Sequence, residues 1–114
     1  MKKSLLLFAI IVSSCYSFKS GLTISANETF ILGESNSKNY SAELLNISNY
    51  EVKIIGEKKQ NGEYTQVFTL PPKVKVNVYV SSDEIIKFVN ENYQAVKVNV
   101  KLNKEVPGMR YIKN

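Results

Sequence analysis

Residues 73–80 read Lys73-Val74-Lys75-Val76-Asn77-Val78-Tyr79-Val80, with valine at every second position. Successive side chains of a strand point to opposite faces of its sheet, so this alternation buries one face and wets the other. Residues 96–102, Val96-Lys97-Val98-Asn99-Val100-Lys101-Leu102, repeat the pattern with lysine and asparagine outward. No window of the mature chain sustains a helical stripe. Half-buried strands of this kind belong to antiparallel sheets packed on one side.

Working outward from these two, less regular strand patterns cover residues 22–26, 29–32, 40–47, 50–57 and 64–70. Turn chemistry separates them: residues 33–36, Ser48 with Asn49, Asn61 with Gly62, and Pro71 with Pro72. About seven strands at this spacing predict an all-β fold, a single antiparallel β-sandwich. Asn61 and Gly62 both tolerate positive φ, so the chain should fold back on itself between 54 and 68. The two prolines cannot donate ladder hydrogen bonds, which puts their connection at a sheet edge or between sheets.

Residues 81–90 admit two readings. Ser81 with Glu84 three residues on forms a capping-box pattern, and Ile85, Phe88 and Val89 share a helical face. Against a helix stands an internal echo. Residues 45–53, Leu-Asn-Ile-Ser-Asn-Tyr-Glu-Val-Lys, resemble residues 89–97, Val-Asn-Glu-Asn-Tyr-Gln-Ala-Val-Lys, once one loop residue is removed to align the tyrosines. Both read as strand, asparagine-rich turn and strand, and the echo favours a hairpin.

The strand that runs from Glu43 into an asparagine turn and restarts at Tyr50, and the run Phe68-Thr69-Leu70-Pro71-Pro72 leading into the valine strand, carry a resemblance. They are similar to the immunoglobulin-like sandwiches of bacterial envelope proteins, including the first domain of periplasmic pilus chaperones. The resemblance implies an immunoglobulin-like fold. It does not bring the chaperone activity, because that family carries a basic pair that anchors the client carboxylate and a second domain, and this chain is too short for the second domain.

The N-terminus is an address. Lys2 and Lys3 precede the apolar run of residues 5–12, and small residues follow, as in a bacterial export signal. Eight apolar residues rise about 12 Å as a helix, far short of the ~30 Å hydrocarbon core, so the run does not span a membrane. Val12-Ser13-Ser14-Cys15 resembles the lipobox of bacterial lipoproteins, which implies cleavage before Cys15 and acylation of its sulfur. Plain secretion with cleavage after Ser14 or Ser17 is the alternative. The expected organisation is a signal peptide over 1–14, a tether over 15–21, a sandwich over 22–105 and a C-terminal segment over 106–114.

Composition narrows the chemistry. The 114 residues include no histidine and one cysteine, which removes the commonest general base, an intramolecular disulfide and a thiolate metal cluster. No Ser-x-x-Lys box lies in a suitable context, and no glycine-rich phosphate loop occurs. Asp83 and Glu84, the only adjacent acidic pair, should point into water from a turn. Asn90, Glu91 and Asn92 offer too few oxygens for calcium, which takes six to eight. No catalytic residue, metal site or cofactor is expected. Removing Lys2 and Lys3 takes the formal charge from +5 to +3, too mild and too dispersed to argue for nucleic acid.

What is left is a surface. Lys73, Lys75, Tyr79, Lys97 and Lys101 should point outward on the two alternating strands and form a candidate binding surface for an anionic glycan, lipid head groups or an envelope protein. Lysines there also keep valine-rich strands from pairing edge to edge. Residues 27–29, 39–41 and 46–48 match the glycosylation acceptor pattern, which in an asparagine-rich chain reads as coincidence. Residues 106–114 should pack on their own domain, add an edge strand, or be donated to a partner. The expected role is a non-catalytic cell-envelope lipoprotein that reaches the membrane through a lipid anchor and acts as a binding or assembly module. The alternatives are a secreted inhibitor or effector and an accessory subunit that donates its C-terminal strand.

Overall fold

The computed structural model describes residues 18–114; the expected signal segment, Cys15 and the first part of the expected tether lie outside the described residues. Nine strands follow in chain order: β1 (Phe18–Ile24), β2 (Glu28–Leu32), β3 (Tyr40–Asn46), β4 (Val52–Lys58), β5 (Tyr64–Leu70), β6 (Lys75–Val80), β7 (Glu84–Asn90), β8 (Val96–Leu102) and β9 (Met109–Lys113). They form two antiparallel sheets, one ordered β1-β8-β3-β6 and the other β5-β4-β7-β2-β9. No helix occurs among the described residues.

The all-β sandwich agrees with the alternation; its connectivity does not agree with an immunoglobulin-like fold. Up to β8 the chain changes sheet at every connection but one, and apart from β4 with β5 each pairing joins strands that are not consecutive in sequence. That is the order of a jelly roll, in which two four-strand units wrap around each other. Alternation fixes which face of a strand is buried, but which strands become neighbours is written in no local pattern.

Only β4 and β5 are consecutive and paired, and they meet at the expected Asn61-Gly62 turn. Gly62 has φ of 73° and donates to the Lys58 carbonyl at 2.9 Å, while Asn61 Oδ1 accepts from the Glu63 amide. The core lies between the sheets: Ile24, Leu44, Ile54, Phe88, Val96 and Val98 are fully buried. Phe88 meets Phe30 edge to face with ring centroids 5.7 Å apart.

Within residues 81–90, Glu84–Asn90 form a strand, β7, and the three residues before it are a turn. β7 is the central strand of the five-stranded sheet, between β4 and β2, and is covered on both faces over much of its length, so it has no polar period to read. The capping-box bonds do form, with Ser81 N and Oγ donating to Glu84 Oε1 at 2.8 and 2.5 Å, but they close the turn into β7 rather than a helix. Nor do β7 and β8 form a hairpin, since they belong to opposite sheets.

Both ends of the domain extend beyond the expected boundaries. Residues 18–21, read as tether, pair with β8 as the start of β1, Phe18 opposite Leu102. Residues 106–114 stay with their own chain: Val106 is buried and β9 adds an edge strand to β2. Met109 and Tyr111 are both exposed, with the Tyr111 ring lying against Phe30 at a centroid distance of 5.0 Å. Gly108, at φ 88°, makes the turn into β9 and accepts from the Gly33 amide at 2.8 Å.

Candidate functional site

The two lysine-bearing strands, β6 and β8, lie in the same sheet with β3 between them. Because Val76, Val78 and Val80 on β6 and Val96, Val98 and Val100 on β8 face the core, their alternate neighbours face outward together. The register completes the face. One row runs Lys19, Lys101, Glu43, Asn77 across the four strands, and the next runs Gly21, Asn99, Leu45, Lys75. Lys97, opposite Thr23, lies beyond the second row, and Tyr79, opposite Ser41, lies beyond the first.

These rows enclose a shallow trough of about 490 Å³. Gly21, Leu45 and Asn99 make its floor, and Lys19, Lys75 and Lys101 stand around it with Glu43. Lys75 Nζ is 3.9 Å from Glu43 Oε2, and both side chains keep contact with water. Lys19, Lys97 and Lys101 make no salt bridge among the described residues. Four lysines against one glutamate give the face a positive field that suits phosphate, carboxylate or sulfate groups.

The structure thus brings together Lys75, Lys97, Lys101 and Tyr79 of the expected surface and removes Lys73. Lys73 sits in the corner before β6 at φ 65°, its amide donating to the Asn46 carbonyl at 2.7 Å and its Nζ to the Ile47 carbonyl at 2.7 Å. Its amine holds a turn instead of facing a ligand. Lys19 was not legible in the sequence, because Phe18-Lys19-Ser20-Gly21 lacks alternation and reads as a tether; its register opposite Lys101 is the signal that places it.

Other candidates resolve differently. Glu84 is buried, not solvated; its carboxylate accepts from Ser81 N, Ser81 Oγ and Thr65 Oγ1. Burial pushes its pKa up, but those hydrogen bonds outweigh it and hold the carboxyl below its ordinary value. Glu34 is likewise held low by its two-pronged bond from Arg110, at 2.6 and 2.9 Å. Tyr40 carries the one buried side-chain polar atom without a partner among the described residues, and burial raises its hydroxyl pKa. Asn46, in an acceptor-like triplet, is fully buried with its amide engaged. No helix among the described residues is long and apolar enough to cross a membrane, and no cluster of three or more metal-binding side chains occurs among them.

No family model matches the chain, and no curated protein matches it. Solved structures do. The cupin domain of an XRE-family transcriptional regulator from Enterobacter cloacae superposes with a TM-score of 0.57 at 13% identity, covering 82% of this chain and 86% of that one. An uncharacterized protein with a double-stranded β-helix domain from Klebsiella pneumoniae gives 0.57 at 11% identity, covering 88% and 77%. Peruvianin-I, a cysteine peptidase from Thevetia peruviana latex, gives 0.59 at 12% identity over 86% of this chain, which spans 56% of that one. At these identities the likeness is one of fold alone, and it agrees with the jelly-roll strand order.

Proposed function

We propose that this protein is a non-catalytic, lipid-anchored component of the bacterial cell envelope, and that the outer face of its four-stranded sheet binds an anionic partner. The observation that carries the reading is the shared face of Lys19, Lys75, Lys97 and Lys101, of which Lys19 lies four residues after the Cys15 of the lipobox-like Val12-Ser13-Ser14-Cys15. Several weak charge contacts spread over a flat sheet suit a repeating or extended polyanion better than a small molecule, which needs a deep and largely apolar pocket. The non-catalytic reading draws support from the absence of histidine and from Glu84, the one buried carboxylate among the described residues, whose acceptors are taken by Ser81 and Thr65. The pairing of β9 with its own β2 supports the binding-module reading over the accessory role of donating that strand.

The test is the intact mass of the mature protein from its native host beside Cys15→Ala. Acyl mass that disappears in the variant upholds the anchored reading. An unmodified chain in the soluble fraction defeats it and leaves the secreted effector.

A further inference from the structure

We infer that the anionic partner of the four-stranded sheet is the membrane surface, and that the protein lies with Lys19, Lys75, Lys97 and Lys101 against anionic phospholipid head groups. The inference rests on the acylation of Cys15 proposed above and names what the basic face touches once the chain is anchored.

Chain length brings the sheet to the membrane. Lys19 follows Cys15 by four residue steps, which extend at most about 14 Å. The polar layer of each leaflet is itself about 5–8 Å deep, so a diacylated Cys15 holds Lys19 within or just above the head groups. Lys19 is the second residue of β1, an edge strand of the four-stranded sheet. The remaining outward residues of β1 are Gly21 and Thr23, too small to prop the sheet away from a flat surface.

Charge selects the face that turns down. On the four-stranded sheet, four outward lysines oppose Glu43 alone. On the outer face of the five-stranded sheet the charges are largely cancelled in pairs: Lys87 Nζ lies 2.8 Å from Glu57, and Arg110 grips Glu34. Tyr79, 75% exposed on the other edge strand, adds an amphipathic ring of the kind that settles at head-group level. The trough floor of Gly21, Leu45 and Asn99 has no aromatic ring on which a sugar could stack, which favours phosphate over glycan.

Amine labelling with mass spectrometry tests the inference on the acylated mature protein. The protein is reconstituted into vesicles of phosphatidylcholine alone or of phosphatidylcholine and phosphatidylglycerol in equal parts, and polygalacturonate serves as a soluble glycan probe. Lys19, Lys75, Lys97 and Lys101 should label about fivefold more slowly on the phosphatidylglycerol vesicles, and salt should erase the difference. Lys53, Lys59 and Lys113, on or beside the five-stranded sheet, should label alike on both. Lys19→Gln with Lys101→Gln, both at exposed positions, should weaken the protection of Lys75 and Lys97. Equal labelling on the two vesicles, or protection of the opposite sheet, overturns the inference while leaving the anchor intact. Protection by polygalacturonate and not by phosphatidylglycerol overturns it in favour of a glycan. A chain without acyl mass removes the anchor and the inference together.

Discussion

Asn46 and Asn90, 44 residues apart, do the same work at equivalent corners of the jelly roll. Each ends a strand, each is fully buried, and each then lets the chain cross to the opposite sheet. Asn46 Nδ2 donates to the Tyr50 carbonyl at 2.7 Å, and Asn90 Nδ2 donates to the Gln94 carbonyl at 2.9 Å. Asn46 Oδ1 accepts from the Ser48 amide at 3.0 Å, and Asn90 Oδ1 accepts from the Asn92 amide at 2.9 Å. Each amide also reaches another strand, at Leu70 for Asn46 and at Ile24 for Asn90. The repeat seen in the sequence is therefore a repeated corner in register without any removed residue, and Tyr50 and Tyr93 are not equivalent.

Both a donor and an acceptor are needed at these corners. Asn90→Ala should cost about 3 kcal/mol, since it removes the donor to the buried Ile24 carbonyl and the acceptor for the Asn92 amide. Asn90→Asp should cost at least as much, because its carboxylate faces the carbonyls of Ile24, Ser25 and Gln94. Urea unfolding measures both, and an aspartate variant within about 0.5 kcal/mol of wild type contradicts the corner's role.

Stability should fall in acid partly through Glu84. Its pKa is below the ordinary 4.5 in the fold, so the stabilisation is present above that value and is lost as pH falls through the folded value. Wild type should therefore lose more stability than Glu84→Gln between about pH 5 and about pH 3, read from urea midpoints at each pH. Identical pH slopes for the two proteins would remove Glu84 from the acid response.

β9 should be detachable by one methyl group. A Cβ on Gly108 would come 2.5 Å from the Ser35 amide nitrogen, at a φ of 88°. Gly108→Ala should cost about 2 kcal/mol and speed hydrogen exchange in β9 and its partner β2. Gly62→Ala meets open space at φ 73° and should cost only about 1 kcal/mol. Equal effects at the two glycines would show that the contact with Ser35 does not hold the strand.

Phe88 and Tyr93 should mark the extremes of tolerance. Phe88 is fully buried against Phe30, and Phe88→Ala should cost about 3–5 kcal/mol. Tyr93, 91% exposed in the corner that Asn90 holds, should tolerate alanine within about 0.5 kcal/mol. Thermal or urea unfolding decides both.

Much of the architecture was legible where one side of a strand is wet. β8 alternates buried and exposed residues along its whole length, so its lysines could be assigned to a face from sequence. β7 is covered on both sides, and its Ile85, Phe88 and Val89 imitate a helical stripe. Lys73 carries the parity of an outward strand residue, yet the corner after Pro72 turns it to positive φ. Lys19 became part of the site only through pairing with a strand some 80 residues later, a relation that no local pattern encodes.

That distant pairing has a kinetic consequence. Phe18 waits for Leu102, so the first strand of the domain has no sheet neighbour until the eighth has been made. The β4–β5 hairpin is the one pairing between consecutive strands, and it is the natural nucleus. Pairings between remote strands close slowly, because each must overcome the entropy of a long loop before any contact rewards it. β1 therefore has to wait for β8, and a nascent chain of this sequence carries its first described strand unpaired until residue 102 has been synthesised.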